Sequence, residues 1–205
     1  MPKRGYHHGN LRQALIESAL RLIEIKGPTG FTLSEAAKQA GVTPAAVYRH
    51  FEGREDLIAE AARQGYEIFA DLMEYAYQSG QPSALSAFDA TGRAYLAFAR
   101  KHPGHYIAMF ESGISVNRTP ELAAVSARAT GVLEKAAADL SQHIPEDKRP
   151  PASMFSAHIW AMSHGVVELF ARNSPGRASP IPADELLESG IGIYLRGLGL
   201  ISEDP

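Results

Sequence analysis

Three consecutive side chains carry the chemistry that stands out in this sequence. Tyr48, Arg49 and His50 bring a phenol, a guanidinium and an imidazole together between apolar Val47 and Phe51, in the stretch "VYRHF". Donors of this kind suit phosphate oxygens and base edges in a major groove. A second group lies at the start of the chain, where Lys3, Arg4 and Arg12 accompany His7 and His8 with no acid among the first 12 residues. Adjacent histidines cannot easily ligate one metal, and no cysteine or acid lies near them. A basic arm reaching phosphates or a minor groove fits them better. A third group, His102, His105, Glu111 and His164, could serve a metal-dependent hydrolase. His102 and His105 flank Pro103, while His158 and His164 are six residues apart, about 240° around a helix. No compact ligand set emerges, and neither a nucleophile elbow nor a phosphate loop is present. Catalytic residues and metal ligands are therefore both expected to be none.

The elements around Tyr48 are short helices. Thr32 and Glu35 have the spacing of a capping box, so a helix should start there and end near Gly41. Thr43 can cap the next, with Pro44 at its first position, where the missing N–H costs nothing. Two helices joined by so short a turn cross closely. That needs a small residue on the first, a glycine in the turn and an apolar residue on the second. Ala37, Gly41 and Val47 fill those places at helix-turn-helix spacing, and Val42 and Phe51 extend the same apolar face. The outward positions are then Pro44, Ala45, Tyr48 and Arg49, with His50 toward the end. A plain helical hairpin would share the spacing but has no use for this polar cluster.

Around this motif almost every segment has helical periodicity. A first helix from an N-cap at Asn10 would bury Leu11, Leu15, Ala19 and Leu22 and stop at Gly27–Pro28. A fourth helix should run from about Gly53 to Ser79, and later ones over Ala84–Arg100, Tyr106–Phe110, from Thr119 to "IPEDKRPP", Ser153–Arg172 and Asp184–Leu200. The loop "NSPGRASPIP" separates the last two. The expected fold is all-α with about nine helices: a three-helix helix-turn-helix domain over residues 1–65, and a larger helical ligand-binding and dimerisation domain over 66–205.

"GVTPAAVYRHFEGREDLI" resembles the recognition helix and following helix of the TetR family of transcriptional regulators, and the resemblance covers about residues 10–60. It implies a homodimer on a two-fold double-stranded DNA operator, with an all-helical ligand-sensing domain. By the family pattern Thr43, Tyr48 and His50 would hold phosphates, and Pro44, Ala45 and Arg49 would face bases. Arg54 stands where the family usually has lysine and would also meet a phosphate. Ala46 replaces a residue that often carries a hydroxyl. "HIWAMSHGVVELF", with Trp160, His164 and Gly165, and "ARKHPGHYIAMF" resemble the Trp-His-Gly subgroup of TetR C-terminal domains, more loosely and over about residues 80–195.

In that second domain the helix from Ser153 is apolar nearly all round, so both of its sides should be covered. Phe155, Ile159, Met162 and Val166 are candidates for a dimer face, along with Gly190, Ile193, Tyr194 and Gly197 of the last helix. Glycines in a helix cost about 1 kcal/mol each, which close helix packing would explain. Tyr95, Phe98, Tyr106, Met109, Phe110, Trp160 and His164 are candidate pocket residues for an apolar or aromatic small molecule, though each equally suits a core.

Composition agrees. The 205 residues are 45% hydrophobic and 21% charged with net charge −3, and no cysteine is available for disulfides, thiolate catalysis or cysteine-bound zinc. Residues 1–65 hold nine Lys/Arg against seven Asp/Glu, while the rest hold 11 against 16, placing relative positive charge at the helix-turn-helix end. No apolar stretch suits a signal core or a membrane span, so a cytoplasmic protein is expected, with no cofactor and no membrane partner. The leading expectation is a ligand-responsive repressor that is not an enzyme. A DNA-binding protein without an effector is the other alternative beside the hydrolase.

Overall fold

The computed structural model describes residues 8–171 and 180–201, with side chains from Leu11 onward. All regular structure among these residues is helical. The helices are α1 (His8–Lys26), α2 (Leu33–Gln39), α3 (Pro44–Val47), α4 (Arg54–Gly80), α5 (Ala84–Lys101), α6 (Pro103–Phe110), α7 (Pro120–Ser141), α8 (Ala152–Val166) and α9 (Ala183–Gly197). α8 continues into a π-helical turn over Val167–Ala171.

The chain forms two compact units. One comprises Met1–Ile68 with His102–Ser126, and the other Phe69–Lys101 with Ala127–Pro205. A cut at 65/66 follows chain order but not packing, because α6 belongs with the N-terminal helices. The cause is local. The Gly104 N–H donates to Glu24 Oε1 of α1 at 3.1 Å, and a Cβ on Gly104 would lie only 2.9 Å from the Leu20 carbonyl oxygen. Glycine lets α6 lie directly on α1. Leu15, Ile16, Ala19 and Ile23 of α1, with Phe31, Val47 and Leu57, are fully or almost fully buried in this unit.

In the second unit Phe88, Ala137, Leu140, Ile144, Phe155 and Leu195 form the core. Phe155 stacks on Phe88 and Tyr194, with ring centroids 6.3 and 5.9 Å apart. Phe69 packs against Tyr95 and Phe98.

Several boundaries differ from expectation. α1 begins at His8, so Asn10 lies inside the helix and is not its cap. α6 begins at Pro103, whose missing N–H is harmless in the first turn, and not at Tyr106. Phe155, assigned to a dimer face, has no exposed surface and fills the core of its own unit.

Candidate nucleic-acid interface and ligand cavity

The helix-turn-helix is built by local rules. Thr32 Oγ1 accepts from the Glu35 N–H at 3.2 Å, and Glu35 Oε2 accepts from the Thr32 N–H at 2.8 Å, completing the capping box. Lys26 holds the same carboxylate, and its hydrogen bond, with those of Thr32, lowers the Glu35 pKa. α2 ends in Gly41 at φ +74°. There the Gly41 N–H donates to Lys38 O at 3.1 Å and the Val42 N–H to Ala37 O at 2.9 Å, the Schellman pattern. A left-handed residue is required there, and glycine adopts it without strain.

The turn presses Ala36, Ala37 and Val47 completely out of solvent, with Phe51 almost so. Tyr48, one residue beyond Val47, is 63% exposed. Thr43, Pro44, Ala45 and Arg49 are exposed beside it, and His50 is half-buried. The expected face is thus outward. Thr43 occupies the N-cap of α3, but its side chain makes no capping hydrogen bond. With Pro44 at the first helical position and only four residues in the helix, few N–H groups are there to cap.

Arg54 has a structural role beside its expected one. Its Nη1 donates to the carbonyls of Thr29 at 2.9 Å and Phe31 at 3.3 Å. The side chain is half-buried and ties the start of α4 to the loop before α2 through this one nitrogen. Lys3, Arg4 and His7 lie outside the described residues.

Sequence reasoning missed the clamp behind this face. Glu60 of α4 receives Arg12 of α1 at 2.8 Å and Arg63 at 2.9 Å, and the Arg12 guanidinium sits 5.1 Å from the Phe51 ring centroid. Burial pushes the Glu60 carboxyl up, but the hydrogen bonds and charges of Arg63 and Arg12 outweigh it and hold the pKa at about 2. The i,i+3 spacing of Glu60 and Arg63 was visible in the sequence; the cross-helix partner was not.

The second unit contains a cavity of about 650 Å³ between α5, α7, α8 and α9. Phe88, Tyr95, Trp160, Leu133 and Ile159 supply apolar surface; Thr91, Thr130, Ser153, Ser156 and Ser163 supply hydroxyls; Glu134 supplies one carboxylate. Of the seven expected pocket residues, Tyr95 and Trp160 line it. Phe98 is fully buried in the core, and Tyr106, Met109 and Phe110 belong to the other unit, so these four are corrected. His164 does not line it either. Its Nδ1 is 2.9 Å from the Tyr95 hydroxyl, and its ring stacks on Trp160 at 6.1 Å between centroids. It orients two lining rings from behind. The hydroxyl-bearing residues on α8 recur at positions 153, 156 and 163, a helical spacing that marks the polar side of the cavity.

The expected dimer residues divide. Ile159 and Tyr194 are half-buried and pack against the core, and the Tyr194 hydroxyl lies 2.8 Å from His158 Nδ1. Met162, Val166 and Gly190 are half-buried, whereas Ile193, at 63% exposure, and Gly197 are exposed. Met154, His158, Ala161 and Leu169 form the exposed stripe of α8 and its π-helical turn. As for the hydrolase alternative, the His102 and His105 rings adjoin at 5.9 Å, but among the described residues no group of three His, Asp or Glu side chains could hold a metal. Nor is any described helix long and apolar enough to cross a membrane.

Comparison with known proteins agrees with this architecture. The profile described as "Bacterial regulatory proteins, tetR family" matches residues 15–61. The profile described as "Tetracyclin repressor-like, C-terminal domain" matches residues 88–194, just over half of the chain. The chain belongs to the TetR family. It is 38% identical over 71 residues to the HTH-type transcriptional regulator AcrR of Shigella flexneri, covering 35% of this chain and 33% of that protein. The matches span about half or less of the length of the curated relatives. A solved protein of unknown function from Rhodococcus sp. RHA1 superposes with TM-score 0.76 and 25% identity, over 96% of this chain and 99% of that one. AibR, solved with isovaleryl coenzyme A and operator DNA, superposes with TM-score 0.70 and 19% identity, over 89% and 97%; at that identity the likeness concerns the fold.

Proposed function

We propose that the protein is a DNA-binding transcriptional repressor that acts as a homodimer and is released from its operator by a small molecule held in the C-terminal cavity. The observation that carries this reading is the face turned out by the helix-turn-helix. Val47 points into the core while Tyr48 and Arg49 stand in solvent beside exposed Thr43, Pro44 and Ala45. A phenol, a guanidinium and a hydroxyl on one rigid edge match phosphate and base-edge contacts. The homodimer is supported by the exposed stripe of Met154, His158, Ala161 and Leu169 with Ile193 and Gly197 of α9, an apolar surface a second copy would cover. Effector release is supported by the cavity, whose size and largely apolar lining suit a small ligand. Binding would favour one arrangement of the dimer and so alter the separation of the two recognition faces.

The test is selection of duplexes from a random pool by the full-length protein. The reading expects enrichment of a sequence with two-fold symmetry. Enrichment of no sequence would overturn it.

A further inference from the structure

The cavity has an asymmetry of charge. Among the described residues that line it, Glu134 is the one carboxylate, and none is Lys, Arg or His. The basic side chains of the same helix are engaged elsewhere. Arg128 Nη2 lies 2.6 Å from both Asp71 and Glu74, and Lys135 Nζ lies 3.1 Å from Asp139. Glu134 itself is exposed and makes none of the ion pairs seen among the described residues. The rings of Phe88, Tyr95 and Trp160 line the same cavity, with Tyr95 and Trp160 set edge to face at 5.8 Å. Aromatic faces attract a cation by their quadrupole. An anion would meet Glu134 with no basic lining group to receive it.

We propose that the cavity takes an apolar or aromatic body bearing one positive charge, with Glu134 as its counter-charge; this rests on the reading of the cavity as the effector site. A carboxylate or a coenzyme A thioester is disfavoured, so the ligand class differs from that held by AibR.

A matched pair of probes isolates the charge: tetraphenylphosphonium and tetraphenylborate have the same shape and opposite sign. Trp160 is the only tryptophan and lines the cavity, so its emission reports occupancy. Titration of the full-length protein should give tighter binding of the phosphonium by at least about fivefold, the effect of one solvated charge at close range. Glu134→Gln should remove that preference while leaving binding of the uncharged N-phenyl-1-naphthylamine, and the melting temperature, unchanged. Equal binding of the two ions, tighter binding of tetraphenylborate or of isovaleryl coenzyme A, or an unaltered preference in Glu134→Gln would overturn the charge assignment while leaving the cavity as an effector site. If neither ion nor the neutral probe alters Trp160 emission, the effector reading falls together with this inference.

Discussion

The two units solve opposite packing problems. The helix-turn-helix packs its crossing tightly: Ala36, Ala37 and Val47 have no exposed surface, and polar clamps at Glu35, Arg54 and Glu60 hold its edges. The C-terminal unit packs a stacked core of Phe88, Phe155 and Leu195 and leaves about 650 Å³ beside it unfilled. The contrast teaches how each site is made. On the proposed function, a surface that must match a rigid polymer is held stiff from behind, whereas a site for a small molecule is made by leaving packing incomplete.

The largest test of the contrast is Phe155→Ala. Removing a fully buried ring should cost about 3–5 kcal/mol, read as a large fall in melting temperature. Trp160→Leu, beside open space, should cost far less. Equal losses would mean that the cavity wall is packed as tightly as the core.

Acid should probe the clamps. The Glu60 carboxyl is held at about 2 against an ordinary 4.5, so its contribution is present above 4.5 and is lost as pH falls toward 2. Glu60→Gln should cost about 1.5–3 kcal/mol at neutral pH, the range for hydrogen bonds to charged groups, and should flatten the stability curve below pH 4.5. His105 acts in a higher window. Burial, reinforced by neighbouring His102, lowers its pKa to about 4 from 6.5, and its Nε2 is buried without a hydrogen-bond partner. The unfolded chain therefore takes up the proton first, and stability is lost as pH falls from 6.5 to 4. His105→Leu should remove that upper slope and leave the lower one. Chemical denaturation across pH 2–8 checks both variants.

Two glycines sharpen the contrast further. Gly41 is held at φ +74°, where alanine should cost about 1–2 kcal/mol. Gly92 lies within α5 at the cavity, with nothing within 4 Å of an added Cβ, so alanine should stabilise by about 1 kcal/mol. Substitutions of the same sign at the two sites would contradict the difference between a closed turn and an open cavity wall.

These differences also explain what the sequence could reveal. Capping box, turn glycine and inward valine lie within sixteen residues, so their spacing alone places Tyr48 and Arg49 outward. The structural role of Arg54 is hidden because its partners, the Thr29 and Phe31 carbonyls, are backbone atoms more than 20 residues away. α8 misleads for another reason. It is apolar on several sides, so periodicity gives no phase, and Ser156 and Ser163 are half-buried and buried instead of marking the surface. Phe155 was therefore placed on the wrong side. The cavity itself draws on four helices spread over a hundred residues, and no local spacing encodes it.

The central claim is that the outward edge of the helix-turn-helix binds DNA through its exposed cation and hydroxyls. The direct measurement is the salt dependence of affinity for a selected duplex, for the wild type and for Arg49→Ala and Tyr48→Ala. The wild type should lose affinity steeply with salt, with each phosphate neutralised contributing about −0.9 to the log–log slope. Both variants should bind at least about fivefold more weakly, the lower end of about 1–3 kcal/mol for a specific contact, with unchanged melting temperatures because neither side chain is buried. Affinity independent of salt, or variants that bind as tightly as the wild type, would contradict the account.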